Sequence, residues 1–293
     1  MTGAQIFALP DRGVIALSGP DACTWLNNLV TNDLTSLDQR PLLFTALLSP
    51  QGKILFEFFV YKNREHLLLE TSRSVIDDLV KRLKLFKLRA KVELTDVTHS
   101  WTPIWGTGSL SVPNTALSPG AILGTDPRSS EGLWRGLCPT EKLQSAFGQG
   151  DYLEERIRRG IPEAPHDYAL GDTFPHEANY DLQNGVSFTK GCFVGQEVVS
   201  RMQNKTVVRK RVVRVTSTAP LTSGMAITTG AATIGTIGST NGQNALALLR
   251  LDRAVEAIDQ CEPVRAGNHD IAIDPMALQR YRQSIGNRSA SQL

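Results

Sequence analysis

Residues 42–71 read LLFTALLSPQGKILFEFFVYKNREHLLLET. Pro50-Gln51-Gly52 and Lys62-Asn63-Arg64-Glu65 carry turn chemistry, because Pro presets φ while Gly and Asn tolerate the left-handed region. The runs between them are dense in aliphatic and aromatic side chains. That punctuation predicts consecutive antiparallel strands. Directly downstream, SRSVIDDLVKRLKLFKL (72–88) sets Val75, Ile76, Leu79, Val80, Leu83 and Phe86 at helical spacing. Basic side chains lie opposite, and Ser72 or Ser74 can cap the start. The run RAKVELTDV (89–97) returns to strand. Upstream, RGVIALSG (12–19) reads as a strand, and DACTWLNNLVTNDL (21–34) as a helix that places Ala22, Trp25, Leu26 and Leu29 on one face and stops near Thr31-Asn32-Asp33. Strands, a helix and another strand in this order predict an α+β fold, a ferredoxin-like unit whose helices cover one face of an antiparallel sheet.

Further along, Gly106 to Ser130 is rich in Gly, Ser, Thr and Pro and reads as loops and short edge strands. DYLEERIRR (151–159) is a short charged helix stopped by Gly160, with Pro162 beyond it. After residue 205, VVRKRVVRVTST, MAITTG, ATIGTIGST and ALALLRLDRAV alternate with Gly and Pro, the pattern of a small separate β-barrel. The expected organisation is residues 1–204 as two intertwined α+β units, 205–280 as the barrel, and 281–293 as a disordered polar tail.

The chain has 293 residues, 41% of them hydrophobic, enough for two or three units with a real core. Its net charge of +2 gives no overall electrostatic reason to expect nucleic acid or membrane, so any anionic partner must be met locally. The N-terminal residues lack the pattern of a targeting segment, which predicts a cytoplasmic protein. Cys23, Cys138, Cys192 and Cys261 are far apart, so neither a disulfide framework nor a metal cage is supported. The pattern fits a reducing compartment.

The chemistry concentrates in FPHEANYDLQNGVSFTKGCFVGQEVVSR, residues 174–201. Glu177 could accept two N–H donors from a planar heterocycle such as a pterin or purine, although isolated carboxylates are more often capping or ion-paired surface groups. Lys190 stands close enough in sequence to Cys192 to favour its thiolate. Gln196 and Glu197 open a helix whose N-terminus could meet an anion or simply be capped. Arg201, Lys205, Arg209, Lys210, Arg211 and Arg214 form a basic stretch suited to a polyanion, although no aromatics are interleaved to stack bases.

The motif KGCFVGQE, with Lys190, Gly191, Cys192, Gly195, Gln196 and Glu197, resembles the signature of the YgfZ-type folate-binding family. LNNLVTNDL around Asn32 and Asp33, SPQGKILFEF (49–58), and DPR with GLWR around Asp126 and Trp134 resemble the same family. The resemblance implies an aminomethyltransferase-like folate-binding fold shared with the glycine-cleavage T-protein, with tetrahydrofolate as cofactor and a C-terminal β-barrel. DTFPHEAN matches the T-protein segment whose Glu holds the pterin, which makes Glu177 the pterin ligand, with Asn32, Glu57, Gln196 and Arg201 as further folate contacts. Cys192 becomes the working residue and Lys190 its neighbour in catalysis. The T-protein's acidic pair is Phe56-Glu57 here, and a Phe cannot act as general base. The implied role is therefore an accessory one, assembly or repair of iron-sulfur clusters in client enzymes, tRNA-modifying ones among them. The alternative is a folate-dependent aminomethyltransferase or demethylase. Implied partners are folate and iron-sulfur assembly or client proteins, with direct RNA contact through the basic stretch as a third reading.

Overall fold

Alternation along one strand organises the N-terminal half. In Ile54–Asn63, Phe58 and Val60 point to one side and join a buried cluster with Leu43, Leu47, Leu67, Leu69, Ile76, Leu79 and Leu83. Glu57, Phe59 and Tyr61 point to the other side, as period-two geometry requires. The structure, a computed structural model, describes residues 5–64, 66–108, 120–129, 132–142 and 151–290. Glu65, much of the Gly106–Ser130 stretch and residues 291–293 lie outside the described residues.

The chain divides into two units, residues 1–150 with 181–196, and residues 151–180 with 197–293. The first contains β1 (Gln5–Ala8), β2 (Arg12–Ser18), α1 (Ala22–Asn27), β3 (Leu42–Leu48), β4 (Ile54–Asn63), β5 (His66–Ser72), α2 (Ile76–Phe86), β6 (Glu93–Asp96), β7 (Trp101–Thr107), β8 (Ile122–Thr125) and β9 (Leu133–Pro139). Strands in the order β3-β4-β5-β2-β6 form an antiparallel sheet, and β1-β7-β9-β8 form a second. Helices α1 and α2 cover the apolar face of the first sheet through Leu26, Ile76, Leu79 and Leu83. Each such side chain contributes about 1.5–3 kcal/mol by leaving water.

The opposite face carries charge. Glu70 of β5 accepts from Arg12 Nε at 2.7 Å, Arg135 Nε at 2.8 Å and Tyr61 Oη at 2.7 Å. Arg135 comes from β9, so the second sheet lies against this face. Arg128 pairs with Asp126 at 2.8 Å, and the guanidiniums of Arg128 and Arg135 stand 4.6 and 4.3 Å from the Phe59 ring centroid. Burial alone would raise the Glu70 pKa, but Arg135 and Arg12 outweigh it and hold the carboxyl at about 2. Charged groups taken out of water this completely persist only because each is paired.

The second unit contains α3 (Tyr152–Arg159), α4 (Gln196–Lys205), β10 (Lys210–Ser217), β11 (Ala226–Thr229), β12 (Ala232–Asn241), β13 (Asn244–Arg250), α5 (Leu251–Asp259), β14 (Val264–Ala266), β15 (His269–Ile273) and α6 (Pro275–Ala290). The six strands close into a barrel in the order β10-β13-β12-β11-β14-β15. Helix α3 behaves as its sequence demands: Asp151 accepts from the Glu154 N–H at 2.7 Å, and Gly160 ends the helix at φ 69°. Its buried Arg156 donates to Asp167 at 2.7 Å and to Ser239 Oγ at 2.8 Å, tying the helix to β12.

Three expectations change. Helix α1 ends at Asn27 rather than near Thr31, because Val30 leaves to bridge Leu47 of β3. Residues 151–180 and 197–204 group with the barrel rather than with the N-terminal unit. Residues 281–290 are helical, since Tyr281 buries its ring in the barrel core and Arg282 pairs with Asp259.

Candidate functional site

Cys192 is exposed, and its position is set by two buried neighbours. On one side, the Lys190 ammonium donates to the carbonyl oxygens of Asn27 at 2.6 Å, Val30 at 2.8 Å and Asn32 at 2.7 Å. Asn27 is the last residue of α1, so the cation satisfies that terminal carbonyl together with two carbonyls of the segment that follows, and meets the negative end of the helix. On the other side, Phe193 is 7% exposed, with Lys190 Nζ 5.4 Å from its ring centroid. Ser187 adds a tie, its N–H donating to the Thr31 carbonyl at 3.0 Å and its hydroxyl accepting from the Lys190 N–H at 3.2 Å. Between these anchors Gly191 is open: a β-carbon there would meet nothing within 4 Å.

The far end of the motif is as tight as this end is open. Gly195 takes φ 81°, and a β-carbon on it would stand 2.7 Å from the Ser49 carbonyl oxygen and 3.1 Å from Gly52 Cα. KGCFVGQE and SPQG therefore touch backbone to backbone, which explains why both turns are built on glycine.

This geometry revises Lys190. Its protons are directed at carbonyl oxygens, so in this structure it positions the loop. Burial pulls its pKa down to about 8, against an opposing pull from Asp33. Asn32 is likewise committed: its amide donates to the carbonyls of Phe44 at 2.8 Å and Asn184 at 2.6 Å, and its Oδ1 accepts from Asp33 N–H at 2.9 Å. Both amide protons are used, so Asn32 has no donor left for folate. Glu57, 5% exposed, lies on the same sheet face as Phe59 and Glu70. Gln196 begins α4, and its N–H donates to the Phe193 carbonyl at 3.2 Å.

Glu177 and Arg201 belong to the second unit. Glu177 accepts from the Phe174 N–H at 2.8 Å and lines a cavity of about 820 Å³ with Phe174, Met202, Lys205, Arg209 and Arg250. Val207, Val208 and Lys210 complete much of the wall. Arg201 does not line it; exposed on α4, it reaches Glu197 only at 4.0 Å. The basic stretch thus splits by role. Lys205, Arg209 and Lys210 face the cavity, whereas Arg211 donates to the His176 carbonyl at 2.6 Å and Arg214 to Asp274 at 2.9 Å. Arg250 escaped the sequence reading because it is brought in by the barrel ladder, opposite Lys210. Among the described residues, no three His, Cys, Asp or Glu side chains gather as a metal cage.

A wall of mixed character, apolar side chains beside one carboxylate and several cations, suits an amphipathic polycarboxylate, and a carboxylate that already accepts one N–H has lone pairs for another. The residues present therefore fit a folate.

Residues 1–112 match the GCVT N-terminal domain, and residues 209–277 match the CAF17 C-terminal beta-barrel domain. The crystal structure of the glycine cleavage system aminomethyltransferase T from Bartonella henselae superposes with a TM-score of 0.72 at 14% identity, over 94% of this chain and 86% of that one. The protein is of the GCVT-like class, with an aminomethyltransferase-like fold and a CAF17-type barrel. The mitochondrial iron-sulfur cluster assembly factor IBA57 of Homo sapiens is 34% identical over 267 residues, 81% of this chain and 73% of the human protein. Its Mus musculus counterpart is 33% identical, over 83% and 77%. The chain belongs to the IBA57 family. The IBA57 homologue of Mycosarcoma maydis is 33% identical over 230 residues, and there the match spans only 56% of the relative's length.

These relatives place the chain in a family related to the YgfZ type rather than in that type itself. They also overturn the cytoplasmic expectation, since each is described as mitochondrial. Scattered free cysteines indicate a reducing interior, a property that does not single out the cytoplasm.

Proposed function

We propose that this protein serves iron-sulfur cluster assembly by offering Cys192 as a single thiolate ligand to a cluster whose other ligands come from a partner protein or a small thiol. The observation that carries this is the exposed thiol held between two buried anchors, Lys190 and Phe193. A lone cysteine cannot cage a cluster, but a rigidly presented one can complete a shared coordination sphere, losing its proton as the sulfur binds iron. The names of its relatives support an assembly role, and client enzymes, tRNA-modifying ones among them, belong to the same proposal.

The cavity at Glu177 is the folate site in this reading. Glu177 would face the pterin N–H groups, and Lys205, Arg209, Lys210 and Arg250 the glutamate carboxylates. Bound tetrahydrofolate supplies a one-carbon carrier. The transferase alternative has less behind it, because Glu57 is 5% exposed within an inter-sheet face.

Anaerobic reconstitution with ferrous iron, sulfide and glutathione, followed by visible absorption, tests the thiol. Wild type and Glu177→Ala acquire cluster absorption and Cys192→Ser does not; equal absorption from Cys192→Ser would sink the proposal. Calorimetric titration of tetrahydrofolate tests the cavity. Glu177→Ala binds roughly tenfold or more weakly than wild type, and a wild type that binds no folate removes that half of the reading.

A further inference from the structure

Helix α2 ends in a way that works against its own stability. Leu88 follows the helix at φ 43°, where a glycine is preferred, and its side chain is 91% exposed. One turn earlier Leu85 is 70% exposed, on the face opposite the buried Ile76, Leu79 and Leu83. A leucine at position 88 carries both backbone strain that glycine would avoid and an apolar group left in water.

Around the two leucines stand Lys81, Arg82, Lys84, Lys87, Arg89 and Lys91, all exposed, and no carboxylate occurs between Leu79 and Val92. Asp78 meets Lys81 at 3.3 Å, and Asp21 accepts from the backbone N–H of Lys91 at 2.7 Å. Among the described residues, no carboxylate pairs with the side chains of Arg82, Lys84, Lys87 or Arg89. The net charge of +2 conceals this local field.

We propose that the C-terminal tip of α2 docks on an anionic lipid bilayer surface, Leu85 and Leu88 entering the interface while the surrounding cations face the head groups. A specific protein partner would need about 800 Å² of matched surface with large anchors at its centre. Two leucines ringed by cations offer no such patch. A bilayer needs no matching shape and responds to both apolar insertion and positive charge. No helix among the described residues is long and apolar enough to cross a membrane.

The test is co-sedimentation of the full chain with vesicles of phosphatidylcholine alone and of phosphatidylcholine mixed with phosphatidylglycerol, at low and high salt. Wild type partitions onto the anionic vesicles only, and salt weakens it. Leu88→Gly lowers the partition coefficient roughly tenfold while leaving the melting temperature unchanged or higher. Lys87→Glu, on an exposed side chain, lowers it by roughly fivefold or more without touching the fold. Failure of wild type to bind anionic vesicles overturns the proposal and leaves an acidic protein as the occupant. Binding that neither substitution weakens overturns it as well.

Discussion

Gly195 lies so close to Ser49 that a β-carbon on it would come within 2.7 Å of the Ser49 carbonyl oxygen. The approach locks the end of the thiol loop onto the turn between β3 and β4, and the φ of 81° shuts out side chains in any case. Gly195→Ala is expected to cost about 2 kcal/mol or more in urea denaturation. It also moves Cys192, so the thiol's alkylation rate changes in the same variant. A variant with wild-type stability and rate would show that the contact is slack.

Lys190→Met leaves the carbonyls of Asn27, Val30 and Asn32 without their donor. The expected loss is about 2–4 kcal/mol, read from chemical denaturation. Its pH dependence has a definite sign. The folded-state pKa of about 8 lies below the ordinary lysine value of 10.5, so between these values the unfolded chain holds the proton that the fold has released. Stability of wild type relative to Lys190→Met therefore rises as pH climbs from 8 towards 10.5. A flat difference across that window would show that Lys190 keeps its proton.

Glu70 gives the opposite limb. Its folded pKa of about 2 is below the ordinary glutamate value of 4.5, so its stabilisation is complete above 4.5 and is lost as pH falls towards 2. Glu70→Gln flattens that acid limb and, by leaving Arg12 and Arg135 buried without their carboxylate, costs about 3–5 kcal/mol at neutral pH. Thermal unfolding as a function of pH measures both.

Cys192→Ser changes an exposed side chain by a single atom, and its expected effect on stability is within about 0.5 kcal/mol. In the native protein, iodoacetamide labels Cys23, Cys192 and Cys261 but spares the buried Cys138. Labelling of Cys138 at a comparable rate would mean that β9 opens readily.

The fold was legible wherever a local signal suffices. The turns at Pro50–Gly52, the Gly160 stop and the Gly-punctuated barrel strands each announce themselves within a few residues. The α+β class and the barrel follow from them, and the aminomethyltransferase-like fold from the family resemblance that the motifs carry. The site was legible by residue and not by role. Lys190 stands two positions from Cys192 in sequence, which suggested a thiol activator. Its partners, however, are backbone carbonyls some 160 residues away. Asn32 was marked for the ligand by the family resemblance of LNNLVTNDL, and its donors go to Phe44 and Asn184. Carbonyl partners have no side-chain signature, so no spacing could reveal them. Arg250 enters the Glu177 cavity through strand register, which pairs residues 40 positions apart.

The first unit is interrupted: residues 181–196 belong to it, yet they are synthesised after residues 151–180 of the second. A ribosome therefore delivers the thiol segment to a body that is otherwise already made. Lys190 can take its place only where α1 has ended at Asn27 and Val30 has bridged to Leu47. Cys192 is thus set in its final position by the last piece to arrive, and a chain whose first unit has misfolded has no socket to hold it.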